Sequence, residues 1–153
     1  RAIALEKDNP DFCFNLAQMY LLYPQELERR EGWKLEKIYR EAMAYSKHAA
    51  DLAKNDYDLL QDYAVNFFAA SRFNVKADWN AAAQAWRAAR AVARTTEERF
   101  YTWLNEGRVW IQAEKLDDAR TCLKEALQIR PQSEVTRNLL MEVDREIARK
   151  GKH

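Results

Sequence analysis

Catalysis needs acid, base, nucleophilic or metal-ligating side chains that converge, and few candidates stand in these 153 residues. The histidines are His48, inside a helical stretch, and His153, at the last position. Cys13 and Cys122 lie far apart and form no CxxC pair, so neither a disulfide framework nor a zinc site follows from them. No glycine-rich phosphate loop, HExxH or GxSxG motif occurs. The expectation is a chain with no catalytic residues, no metal and no cofactor, and so no enzyme by itself. One cationic feature stands out: Arg87, Arg90 and Arg94 recur at helical spacing, with Arg72, Lys76 and Arg99 nearby. Such a stripe could grip a phosphate or an acidic partner. Ala82, Trp86, Ala89 and Ala93 fall on the other side of the same helix, which favours reading the stripe as a solvated outer face.

Composition narrows the class of partner. Lys and Arg total 25 against 24 Asp and Glu, a net charge of +1. That balance lacks the basic footprint of a nucleic-acid or anionic-membrane binder. No apolar run approaches bilayer length, so no membrane insertion is expected of this segment. "RAIALEKDNP" has no signal-peptide core and no initiating methionine. The chain is therefore expected to be a fragment of a longer protein. A removed leader is compatible with it, and the compartment stays open, with the cytoplasm slightly favoured.

The elements that must position any site are helices. Gly and Pro number three each, and runs such as Ala81-Ala82-Ala83 suit helix and no strand. The pattern predicts helices over 11–23, 33–54, 57–72, 79–94, 97–113, 117–129 and 134–149. Thr95-x-x-Glu98 fits a capping box, Asp78 precedes Trp79, and Ser133 suits an N-cap. Tyr23 should end the first helix, because a residue before proline is pushed out of the helical region. Glu26 to Glu41 balances five acidic against five basic residues, as an exposed helix with i,i+4 pairs would.

"WLNEGRVW", residues 103 to 110, places Gly107 inside a helix, where glycine costs about 1 kcal/mol against alanine. Around it run Trp103-x-x-Glu106-Gly107-x-x-Trp110, then Ala119-x-x-x-Leu123, Ala126 and Pro131. This resembles the tetratricopeptide repeat, W-x2-L-G-x2-Y…A-x3-F…P. Glu106, Trp110 and Leu123 replace leucine, tyrosine and phenylalanine; only Glu106 gives up an apolar contact. Gly107 and Ala119 would let two helices approach closely while the large residues fill the space around them, and Pro131 would end the second helix. A second copy is Leu60-x-x-Tyr63-Ala64-x-x-Phe67 with Ala82-x-x-x-Trp86 and Ala89. A third is Cys13-x-x-Leu16-Ala17-x-x-Tyr20 with Ala42-x-x-x-Ser46 and Ala49. In the third, Ser46 takes a place that belongs to a large apolar residue.

The resemblance implies an all-α, right-handed α-solenoid of about three helix pairs plus a capping helix. Its expected parts are 1–9 as the end of a preceding repeat, 10–54 as repeat 1 and 57–94 as repeat 2. Repeat 3 then covers 97–131, and 133–150 caps it. Repeats 1 and 2 would carry insertions, at Leu21 to Lys34 and Ala70 to Asp78, as longer helices or exposed loops.

In this family the first helix of each pair lines a concave groove where peptides or partner domains dock. The implied lining is Asp11, Phe14, Asn15 and Gln18, then Asp58, Gln61, Asp62 and Val65, then Tyr101, Leu104, Asn105 and Arg108. Some members clamp a terminal carboxylate with lysine, arginine and asparagine; one cation, Arg108, among three aspartates argues against that here. The mixture suits an extended or helical segment with apolar anchors and basic residues. The implied function is a scaffold that binds a protein or peptide. The alternative is the substrate-recruiting repeat portion of a larger enzyme, such as a glycosyltransferase, membrane polymerase or protease, or of a membrane-associated assembly. No nucleic-acid partner is expected, and the sequence leaves the oligomeric state open.

Overall fold

The computed structural model describes residues 6–152. The first five residues, and with them most of the expected remnant of a preceding repeat, lie outside the described part. Among the described residues all regular structure is helical. The chain forms two compact units, Arg1–Asp78 and Trp79–His153.

The first unit opens with α1, Pro10–Leu22. Asn9 caps it by accepting from the amides of Asp11 and Phe12, and Pro10 occupies the first turn, where its missing N–H is not needed. The helix stops at Tyr23, whose backbone (φ −126°, ψ 51°) is not helical. Pro24 then starts a separate helix, α2, Pro24–Glu31, which ends on Gly32 in the left-handed region at φ 67°. The first insertion is thus neither a lengthened helix nor a loop but a short helix of its own. Two helices follow, α3 (Leu35–Leu52) and α4 (Tyr57–Asn66). α3 packs against both α1 and α4.

The uniform helix expected over 57–72 is corrected here. The α-ladder gives way at Asn66, and Phe67–Phe73 winds as a 3-10 helix that ends on left-handed Asn74. Tyr39 Oη donates to the Asn66 carbonyl at 3.0 Å, at the residue where the winding changes. Beneath this segment Leu21, Ile38, Tyr39, Ala42, Ala70 and Phe73 form a buried cluster, flanked by Tyr20, Leu27 and Trp33.

The second unit contains α5 (Trp79–Ala91), α6 (Thr96–Gln112), α7 (Leu116–Ile129) and α8 (Glu134–Gly151), each packed on the next. α5 stops short of the expected residue 94 because the next helix requires it. Thr95 must be extended (φ −119°, ψ 160°) to build the capping box, and Glu98 accepts from the amides of both Arg94 and Thr95. Ser133 caps α8 through the Thr136 amide.

The glycine of α6 sits at a close approach. A Cβ built on Gly107 would lie 2.9 Å from Leu123 Cδ2, 3.0 Å from Leu123 Cγ and 3.6 Å from the Ala119 carbonyl oxygen. Non-bonded carbons normally keep at least 3.5 Å or so, so even a methyl group there would force the Leu123 side chain to shift. The other small residues of the pattern, Ala17, Ala42, Ala49, Ala64, Ala82, Ala89, Ala119 and Ala126, are all buried.

Candidate partner-binding surface

Eight of the twelve expected lining residues belong to the first unit, on α1 and α4. Asp11 and Asn15 are exposed on α1, with Phe14 and Gln18 half-buried beside them; on α4 Asp58 is exposed and Gln61, Asp62 and Val65 are half-buried. Gln18 Nε2 donates to Asp62 Oδ1 at 2.7 Å, which joins the two helices directly. Asp62 Oδ2 accepts from Ser46 Oγ at 3.3 Å and from Asn66 Nδ2 at 3.2 Å, and Asn66 also donates to Ser46 at 3.1 Å. Burial raises the Asp62 pKa above its ordinary value, and the three hydrogen bonds offset part of that rise. Both carboxylate oxygens are therefore taken up within the fold. Ser46, buried at an apolar position of the repeat, is the hub of this network rather than a packing defect.

The other four residues lie on α6 in the second unit. Tyr101 is exposed and meets Trp86 edge-on, with centroids 5.5 Å apart. Arg108 is half-buried and donates to Asn105 Oδ1 at 3.3 Å. Leu104 and Asn105 are buried, and Asn105 Nδ2 donates to the Tyr101 carbonyl at 2.8 Å. Those two offer a partner little surface.

The arginine stripe corrects the expectation of a solvated face. Arg87 Nε and Arg90 Nη2 donate to the two oxygens of Glu106, at 2.7 and 2.6 Å, and the Trp110 indole lies 3.4 Å from the same carboxylate. Glu106 is only 1% exposed and the Arg90 side chain 16%, whereas Arg87 is more than half open to solvent. The Arg90 guanidinium also lies over the Trp103 ring at 3.5 Å. Two members of the stripe thus hold a buried carboxylate, and Glu106 gains the partners that its apolar position in the repeat seemed to deny it. An i+3 run of arginines facing a carboxylate on the next helix was the available signal.

Burial pushes the Cys122 thiol up to about 12 and raises that of Cys13. A thiol held protonated in this way is a poor nucleophile. His48 Nε2 lies 2.9 Å from the Lys7 carbonyl oxygen at the surface. Among the described residues no group of His, Cys, Asp and Glu could hold a metal ion, and no helix is long and apolar enough to cross a membrane.

Helices packed against one another within each unit, with Gly107 at the close approach of α6 and α7, make an all-α helical repeat, and the fold is that of a tetratricopeptide-repeat (TPR) domain. Two solved structures are similar over most of the chain. The first TPR of Spaghetti (RPAP3), bound to the HSP90 peptide SRMEEVD, is 17% identical with a TM-score of 0.57, covering 88% of this chain and 94% of that one. The first TPR domain of the human RPAP3 protein is 16% identical with a TM-score of 0.59, covering 91% and 98%. No family model and no curated protein matches the sequence.

Proposed function

We propose that this chain is a non-catalytic binding module that docks a peptide or a segment of a partner protein on the first helices of its repeats. The observation that carries the reading is the surface of α1 and α4. It sets exposed Asp11, Asn15 and Asp58 beside half-buried Phe14, Gln61 and Val65, in a fold whose solved counterpart holds a peptide. Within the second unit, Tyr101 and Arg108 on α6 are open to a partner by themselves, whereas Leu104 and Asn105 are buried. SRMEEVD is not the ligand the surface of α1 and α4 suits, because the charged residues of those two helices are all acidic. A net charge of +1 supports a protein partner over a nucleic acid.

Selection of a random displayed-peptide library against the full chain tests the proposal. Peptides that bind the wild type should lose affinity for a variant combining Asn15→Arg, Gln61→Arg and Arg108→Glu. Equal binding by both proteins would show that the groove is not the site.

A further inference from the structure

Large apolar side chains crowd the surface at the end of α1. Met19, Leu22 and Tyr23 are 47%, 64% and 60% exposed within little more than one turn. Beside them α1 and α2 enclose a cavity of about 260 Å³ lined by Met19, Tyr23, Leu27, Glu26, Arg30 and Glu31. Burying such side chains is favourable, at roughly 25 cal/mol per Å² of apolar surface. Exposed apolar clusters of this kind mark contact sites.

The charges around the cluster give the occupant its sign. On the same face of α1, Asn15 and Asp11 stand exposed about one and two turns before Met19. From Asp8 to Pro24, and again from Asn55 to Ser71, the sequence contains no lysine or arginine. The charged side chains of α1 and α4 are thus Asp11, Asp58 and Asp62, and Asp62 is satisfied internally. Asp11 and Asp58 make no ion pair among the described residues. At the cavity, Glu26 is engaged by Arg29, and Arg30 is the one cation of the lining, against Glu26 and Glu31.

We propose that the exposed face of α1, with the cavity it shares with α2, docks a peptide segment that carries a large apolar side chain flanked by lysine or arginine. This rests on the peptide-binding reading above and specifies its ligand. The apolar side chain enters between Met19, Tyr23 and Leu27, and the cation lies along α1 toward Asp11. Charge selects the partner while apolar contact holds it, since exposed charges contribute mainly to specificity and rate of encounter. An acidic peptide meets no cation on α1 or α4.

The test sequences the peptides enriched from the random library and measures a synthesised, fluorescein-labelled winner by anisotropy. Asp11→Lys and Met19→Gln alter exposed side chains, and melting curves check that both variants fold. Winners should combine an apolar residue with lysine or arginine. Each variant should bind about tenfold more weakly, as loss of one anchor does, and added salt should weaken wild-type binding. Winners that are acidic or uncharged, or that bind both variants as tightly as the wild type, overturn the inference. If binding responds to the Asn15, Gln61 and Arg108 substitutions but not to these, the groove reading survives and this one fails. If nothing is enriched, both fail.

Discussion

Replacing Gly107 by alanine should have opposite effects in two backgrounds, and the sign change follows from the geometry. In an unconstrained helix the change would stabilise by about 1 kcal/mol. Here the new methyl lands 2.9 and 3.0 Å from Leu123 Cδ2 and Cγ. Leu123 is 0% exposed, and Cγ is its branch point, so rotating the tip does not clear the contact. Overpacking of this kind costs about 1–3 kcal/mol. Gly107→Ala alone should therefore be net destabilising, by about 0–2 kcal/mol.

Leu123→Ala alone should cost about 2–5 kcal/mol through lost burial and a cavity. In that background both crowding atoms are gone. The nearest remaining neighbour of the new methyl is the Ala119 carbonyl oxygen at 3.6 Å, an ordinary contact. Helix propensity then acts unopposed and the methyl fills part of the cavity, so Gly107→Ala should stabilise Leu123→Ala by about 1 kcal/mol. Urea midpoints of the four proteins, followed by helical circular dichroism, close the cycle. If Gly107→Ala shifts both backgrounds equally, within about 0.5 kcal/mol, the close approach of α6 and α7 is not the reason for the glycine.

Glu106→Ala should destabilise by about 3 kcal/mol or more in the same assay, because it leaves the largely buried Arg90 unpaired. The exposed Arg87 adds little to that figure. Asp62 should give a pH dependence of a defined sign. Its folded-state pKa lies above the ordinary 3.8, so the folded chain holds the proton more tightly than the unfolded one. The stability this confers is full below the ordinary value and is lost as pH rises through the raised one. Melting of wild type against Asp62→Asn, from about pH 3 to 7, should show the wild type losing ground as pH rises; a gap that widens in its favour would refute the assignment.

What was legible in the sequence is what local spacing encodes. The Thr95–Glu98 capping box, the Ser133 cap and the stop before Pro24 are decided by residues a few positions apart, and Gly107 by the repeat spacing to Ala119 and Leu123; each has its structural counterpart. Helix α2 was within reach by the same logic. Pro24 at its first position and Gly32 just past its end follow the usual asymmetry of proline and glycine at helix termini. The balanced charges of Glu26 to Glu41 suit one long exposed helix equally well, and so mask the break. The change to 3-10 winding after Asn66 coincides with a hydrogen bond from a hydroxyl 27 residues away, which no local pattern records.

The two polar residues that break the repeat pattern show where such reading reaches its limit. Ser46 and Glu106 each occupy a position that the repeat reserves for an apolar side chain, and each is about 1% exposed. A buried polar group without a partner costs about 1–3 kcal/mol, more if charged, so such substitutions persist when another helix supplies the partner. Ser46 meets Asp62 and Asn66 of α4, and Glu106 meets Arg87 and Arg90 of α5. In both units, then, a polar residue on one helix is answered by a polar residue on an adjacent helix of the same unit. A departure from a repeat's apolar grid is accordingly best treated as half of a pair, with the other half sought on the neighbouring helix. On that logic Asp62 belongs first to the scaffold. On the proposed reading, the exposed aspartates Asp11 and Asp58, whose side chains form no ion pair among the described residues, are the ones open to a partner.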